Sequence, residues 1–119
     1  MPDHQFVHIE LSSRDLHESA KFYQALFGWN TQEYPEMNYV TFDTGGLGGG
    51  FNPISDGVPA GSVVIYVSTN DIDASLAQVE ALGGSIVAPK MPVPGVGVIA
   101  WFKDLSGNLL ALLQPADEM

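Results

Sequence analysis

The chain has 119 residues and a formal net charge of −10, from four basic and fourteen acidic side chains, and it contains no cysteine. This length fits one domain, and the absence of cysteine excludes disulfide bonds and thiolate metal sites. The negative charge disfavours nucleic-acid and membrane-surface partners, because their phosphate groups carry charge of the same sign.

The first half of the chain predicts a strand, a helix and three further strands. Phe6–Ser12 is apolar with some alternation, which favours a strand, and Asp15 then offers a carboxylate that can cap a helix. Apolar side chains at helical spacing continue to Gly28, a residue type that commonly ends a helix. The three strands that follow are predicted at Trp29–Tyr34, Asn38–Asp43 and Gly45–Phe51.

The second half repeats this order after a linker at residues 52–61, which contains two prolines and several turn-forming residues. A strand is predicted at Ser62–Ser68, followed by a helix that Asn70 or Asp71 caps and that Gly83-Gly84 ends. Three more strands are predicted at Ser85–Ala88, Val98–Lys103 and Asn108–Gln114, with Pro89–Gly97 as a loop and an acidic tail from Pro115. The order βαβββ, present twice, indicates an α+β fold.

An internal repeat supports the prediction of two βαβββ units. One offset of 56 residues superimposes the helix caps, the helix ends and the apolar runs before the helices, and such self-similarity indicates two related half-domains. We therefore predict one domain over residues 1–119, with a first module at about 5–52, the linker at 52–61 and a second module at about 62–114. The aligned pairs include Asp15 with Asp71, Ser19 with Ser75, Leu26 with Leu82 and Gly28 with Gly84.

The sequence resembles the glyoxalase / bleomycin-resistance / extradiol-dioxygenase group, also called the vicinal oxygen chelate superfamily. The segments that carry the resemblance are Phe22-Tyr23, Leu26-Phe27-Gly28-Trp29, Gly83-Gly84 and Asp104-Leu105-Ser106-Gly107-Asn108. The last departs from the usual phrase, in which proline and an acidic residue are common where Leu105 and Ser106 stand. The resemblance implies two βαβββ modules whose sheets form one cleft around a small ligand.

The resemblance also implies where a metal would bind. Metal-dependent members place four ligands, one on the first and one on the last strand of each module. The matching positions here hold His8, the glycines at 48–50, Val64 and Ala111, and only His8 has a side chain that coordinates a divalent ion. One imidazole does not offset the dehydration of such an ion, which needs about three or four donors. We therefore expect no metal and no cofactor at this site.

Strand alternation predicts what faces the cleft instead. Side chains alternate between the two faces of a strand, so Phe6 and Glu10 share a face with His8. The internal repeat adds matching positions on the first strand of the second module, and the last strand adds others. The glycine run 45–50 is expected to leave room for a ligand. The predicted ligand pocket consists of Phe6, His8, Glu10, Val64, Tyr66, Trp101 and Ala111.

Several roles for the polar members stay open. His8 is either a catalytic acid or base, tuned by Glu10 or Tyr66, or a structural residue bonded inside the cleft. Glu10 is either a pocket acid or a solvated charge at an edge. Tyr66 is either an aromatic pocket wall with a hydrogen-bonding tip or a catalytic acid.

The first functional interpretation is a small-molecule binding protein of this fold that lacks the family metal and sequesters or carries an organic ligand, as drug-binding resistance proteins of the group do. The alternative is a metal-independent enzyme that uses His8 with Glu10 or Tyr66 for proton transfer. A third is an accessory domain with a vestigial cleft. We further expect a neutral or cationic organic ligand, a homodimer and, because no signal peptide or membrane-spanning run is evident, a cytoplasmic location.

Overall fold

The computed structural model describes residues 3–116, so the end of the predicted acidic tail lies outside the described residues. These residues form two compact units. We call His8–Val64 the first module, and residues 65–116 together with residues 3–7 the second module. Within the described residues, no helix is long and apolar enough to cross a membrane.

The first module contains one helix and a four-stranded sheet. The strands lie in the order β2-β3-β4-β1, with β1 parallel to β4 and the other neighbours antiparallel. The elements are β1 (Phe6–Ser13, which enters the module at His8), α1 (Leu16–Phe27), β2 (Asn30–Tyr34), a short 3₁₀ turn (Pro35–Met37), β3 (Tyr39–Asp43) and β4 (Gly49–Pro53).

The second module has the same plan. Its strands lie in the order β5-β8-β7-β6, with β5 parallel to β8 and the other neighbours antiparallel. The elements are β5 (Val63–Ser68, which enters the module at Ile65), α2 (Ile72–Ala81), β6 (Ser85–Val93), β7 (Gly97–Lys103) and β8 (Leu109–Pro115). The predicted α+β class and the βαβββ order of each module are therefore confirmed.

Local hydrogen bonds reproduce the internal repeat. The carboxylate of Asp15 accepts from the backbone N–H of Glu18 at 3.0 Å, and that of Asp71 accepts from Ala74 at 3.0 Å. Each cap is flanked by a hydroxyl pair, Ser13 with Ser19 at 2.7 Å and Thr69 with Ser75 at 2.8 Å. Side chains 56 residues apart thus make the same contacts at the start of each helix.

Two strand boundaries differ from the prediction. The segment predicted as a loop at Pro89–Gly97 continues β6 to Val93, because β6 pairs with β7 through register shifts that accommodate its prolines at the end of the sheet. The strand predicted from Gly45 begins only at Gly49, because Gly45 has a φ of 89° and its N–H is bonded to the side chain of Asp43 in a turn.

Each helix covers one face of its own sheet. In the first module, Leu11 of β1 packs with Val40, Phe42 and Phe51 against Ala20 of α1. In the second module, the core residues around α2 are Val67, Ile72, Leu76, Val98, Ala100, Phe102 and Leu112. Because side chains alternate along a strand, His8 and Glu10 lie on the sheet face away from α1.

Candidate functional site

The face of the first sheet away from α1 carries a cluster of polar side chains, which we call the polar patch. It consists of His8 and Glu10 from β1, Tyr39 from β3 and Asn52 from β4. The strand register brings them together, because Glu10 lies beside Gly50 and Ser12 lies beside Asn52. Glu10 is only 8% exposed, so its carboxylate is held in a largely buried position.

Hydrogen bonds connect the polar patch into one chain. The Tyr39 hydroxyl donates to Glu10 Oε2 at 2.8 Å and lies 2.8 Å from His8 Nε2. The side-chain amide of Asn52 donates to Glu10 Oε1 at 3.3 Å. A phenol has one proton to donate, and Tyr39 gives it to Glu10, so His8 Nε2 must be the donor in the bond between His8 and Tyr39.

The surroundings of His8 favour its neutral form. Burial lowers the pKa of His8 below its ordinary value, because removal from water disfavours the charged imidazolium. A neutral imidazole with its proton on Nε2 agrees with the direction of the bond to Tyr39. The ring planes of His8 and Tyr39 are 20° apart and their centroids are 6.4 Å apart, so the two rings lie nearly coplanar and meet through this hydrogen bond.

The glycine run has a different role from the one predicted. A Cβ atom added to Gly50 would lie 2.1 Å from the hydroxyl oxygen of Tyr39 and 2.2 Å from its Cζ. The space beside Gly50 is therefore filled by the Tyr39 ring, and the expected room for a ligand is wrong at this position. At Gly49, a Cβ atom would lie 1.9 Å from the carbonyl oxygen of Ile9, so the approach of β1 to β4 also requires glycine.

The second module has an aromatic row on the sheet face away from α2. Tyr66 of β5 and Trp101 of β7 are both register partners of Ala111 on β8, which lies between them. The indole N–H of Trp101 donates to the Tyr66 hydroxyl at 3.2 Å across this alanine. Ala111 is completely buried and Tyr66 is 5% exposed.

The structure places predicted pocket residues in both modules. His8 and Glu10 are joined in the first module, and Tyr66, Trp101 and Ala111 are joined in the second. Val64 is buried at the end of the first module, whereas Phe6 is 59% exposed. Tyr39 and Asn52 were not predicted. The signal available for Tyr39 was the glycines of β4, the strand beside it, because a glycine in a strand often marks the close approach of another group.

Open cavities elsewhere among the described residues include two that none of the predicted pocket residues lines. One of about 450 Å³ lies by the start of α1 and includes Tyr39, Arg14 and Glu33 in its lining. The other, of about 540 Å³, lies beside α2 in the second module.

A comparison with protein-family models matches residues 5–112 to the glyoxalase/bleomycin resistance protein/dioxygenase superfamily. The chain belongs to this superfamily. The resemblance that the sequence motifs indicated is therefore confirmed.

Two curated relatives that this chain matches are longer than it is. The anthracycline biosynthesis protein DauV of a Streptomyces species is 33% identical over 122 residues, which covers 87% of this chain and 44% of DauV. The putative glyoxylase CFP32 of Mycobacterium bovis is 32% identical over 103 residues, covering 82% of this chain and 39% of CFP32. The chain therefore spans less than half the length of these relatives.

Solved structures of the superfamily share the fold. A glyoxalase/bleomycin resistance protein/dioxygenase superfamily member from Vibrio splendidus has a TM-score of 0.70 and 19% identity, covering 93% of this chain and 98% of that one. At this level of identity, the similarity concerns the fold and not the chemistry of the site.

The residues at the superfamily's metal positions do not fit a divalent ion. In the first module, His8 Nε2 is engaged by Tyr39, and the Tyr39 ring occupies the space at Gly50. The positions at Val64 and Ala111 offer no donor atoms. Among residues 3–116, no group of three or more His, Cys, Asp or Glu side chains is placed to hold a metal.

Proposed function

We propose that this superfamily member binds a small organic molecule at the polar patch and uses no metal there. The observation that carries the proposal is the buried carboxylate of Glu10, which Tyr39 and Asn52 hold in place beside His8. Burying a carboxylate costs stability even when it is hydrogen-bonded. A purely structural strand would avoid that cost with an apolar side chain, so the presence of this buried carboxylate favours a role in recognition.

The chemistry of the chain favours a neutral or cationic ligand with aromatic character. A net charge of −10 disfavours anions, and the Glu10 carboxylate adds a local acceptor for hydroxyl or ammonium groups. The aromatic row at Tyr66 and Trp101 offers a second surface of suitable chemistry. The name of the relative DauV associates it with anthracycline biosynthesis, which supports polycyclic aromatic compounds as the first class to test.

The binding proposal is tested by a thermal-shift screen of hydroxylated anthraquinones with and without an amino substituent, followed by titration of the best compound. Tyr39→Phe removes the hydroxyl but keeps the ring against Gly50, so we expect about 2- to 10-fold weaker binding from the lost hydrogen bonds. Glu36→Gln changes an exposed carboxylate of the same module and serves as the control. Equal affinity of Tyr39→Phe and the unmodified protein would contradict binding at the polar patch.

The contribution of the aromatic row is tested separately. Ala111→Trp would place a large ring between Tyr66 and Trp101, where no space remains for it. We expect this substitution to abolish binding if the aromatic row contacts the ligand. Unchanged affinity would restrict the ligand site to the first module.

The second candidate function is metal-independent proton transfer, and the continuous hydrogen-bond chain from His8 through Tyr39 to Glu10 favours it. Such a chain would move a proton when the substrate gives one to His8 at Nδ1, His8 passes its Nε2 proton to Tyr39, and Tyr39 passes its own to Glu10, so that His8 stays neutral throughout. A suitable substrate would be a small carbonyl compound or a hydroxylated ring.

His8→Ala separates the two candidates. In a binding protein it should weaken affinity by about 0.5–1.5 kcal/mol, the contribution of one hydrogen bond. In an enzyme it should reduce turnover by about 100-fold or more and leave ligand binding largely intact. A modest loss of affinity with no detectable turnover in the unmodified protein would favour the binding function.

A further inference from the structure

The cavity beside α2, which we call the α2 groove, has a predominantly apolar lining. Its volume is about 540 Å³, within the range of small-molecule sites. It lies wholly in the second module and shares no residue with the polar patch. Its apolar lining residues are Ala74, Val79, Leu82, Phe102, Leu105 and Leu112.

Two leucines form exposed walls of the α2 groove. Leu82 at the end of α2 is 72% exposed and Leu105 in the turn before β8 is 78% exposed. Leu105 lies close to the end of α2: a Cβ atom added to Gly83 would be 3.0 Å from its Cδ2. Large apolar side chains left in water around one concave surface are typical of surfaces that bind something.

Three carboxylates add negative charge to the same groove. They belong to Asp3, Asp71 and Asp104, and no Lys or Arg is among the described lining residues. Their hydrogen-bond donors are neutral amides, which orient the carboxylates without cancelling their charge. The side-chain hydrogen bond from Asn108 is the main cause of a lowered pKa of Asp104, which keeps this group ionised. His4 lies 3.6 Å from Asp3 and offsets that charge only when it is protonated.

We propose that the α2 groove binds an organic cation with an apolar body, such as an amine on an aromatic or alicyclic skeleton. The apolar body would lie between Leu82 and Leu105 above Phe102, and the ammonium group would lie near the carboxylates at Asp71 and Asp104. Organic anions would be repelled by the same carboxylates. This site is independent of the proposed function at the polar patch.

Three probes that share one apolar body test the proposal: phenylbutylamine, phenylbutanol and phenylbutyrate. Binding is followed by NMR on the methyl groups of Val79, Leu82 and Leu105 at low ionic strength. We expect the amine to bind about 3- to 10-fold more tightly than the alcohol, because it meets partly screened carboxylates, and to lose this advantage in 1 M salt. Phenylbutyrate should bind most weakly.

Substitutions separate the contribution of charge from that of apolar contact. Asp71→Asn retains a good helix cap and should weaken the amine about 2- to 5-fold without affecting the alcohol. Leu82→Ser should weaken both probes. Glu80→Gln, on the same helix but outside the groove lining, is the matched control, and Tyr39→Phe should leave both affinities unchanged.

Equal binding of amine and alcohol at low salt would overturn the proposal. So would an equal loss of amine affinity in Glu80→Gln and Asp71→Asn, or amine-induced shifts confined to residues outside the groove. Loss of the ligand of the polar patch in Tyr39→Phe, with amine binding retained, would support two separate sites.

Discussion

Substitution of Gly50 by alanine is the sharpest test of how the polar patch is built. Gly50 is buried in β4, and its φ is not in the left-handed region, so alanine meets no backbone strain there. Its Cβ would nevertheless lie 2.1 Å from the hydroxyl oxygen of Tyr39 and 2.4 Å from its Cε2. Contacts this short cannot persist, so the Tyr39 side chain must move away from both Glu10 and His8.

The expected cost follows from the hydrogen bonds that this movement breaks. The bond from Tyr39 to the Glu10 carboxylate is worth about 1.5–3 kcal/mol, and the bond between His8 and Tyr39 about 0.5–1.5 kcal/mol. Replacing glycine by alanine regains about 0.4–1 kcal/mol through the lower entropy of the unfolded chain. The net loss in the free energy of unfolding should therefore be about 1–4 kcal/mol.

Urea denaturation at pH 7.5 measures this loss, with Gly46→Ala as the control. Gly46 belongs to the same glycine run, but a Cβ there would meet nothing closer than the Thr44 hydroxyl at 3.9 Å. In a Tyr39→Ala background, Gly50→Ala should cost almost nothing, because the group with which it collides is gone. A loss below about 0.5 kcal/mol in Gly50→Ala, or an equal loss with and without Tyr39, would refute the reasoning.

Three further predictions address titration, helix capping and assembly. The pKa of His8 is lowered in the folded protein, so below the ordinary histidine pKa the unfolded state binds more protons than the folded state. The free energy of unfolding should therefore fall as the pH drops below about 6.5, by at most about 1.4 kcal/mol per pH unit. Chemical denaturation of His8→Gln between pH 5 and 7.5 should show a flatter profile than the exposed control His17→Gln, and parallel profiles for the two variants would contradict it. Asp15→Ala should lower the free energy of unfolding by about 0.5–2 kcal/mol through loss of the cap, whereas Asp15→Asn should retain most of it; circular dichroism during thermal melting distinguishes them. Light scattering at micromolar concentration should give the mass of a dimer, and a monomer mass would count against the expected two-fold pairing.

The sequence by itself determined the modular plan of this protein. The caps at Asp15 and Asp71 and the ends at Gly28 and Gly83 are local signals, because a helix terminus needs partners for its orphan backbone groups from residues near in sequence. The 56-residue repeat and the family motifs predicted the same two-module plan from residues that lie farther apart in the sequence. The alternation that puts Phe6 and Glu10 on one face with His8 leaves Leu11 on the opposite face, and Leu11 packs against the α1 core.

Only the tertiary structure decided how the polar patch is connected. Tyr39 lies 29 residues after Glu10 and 31 after His8, and it reaches them through a gap that Gly50 leaves in the strand between β1 and β3. No local pattern encodes this contact, because it depends on the register of three strands at once. For the same reason the glycine run was interpreted as free space, whereas the register shows that a side chain from a neighbouring strand fills it.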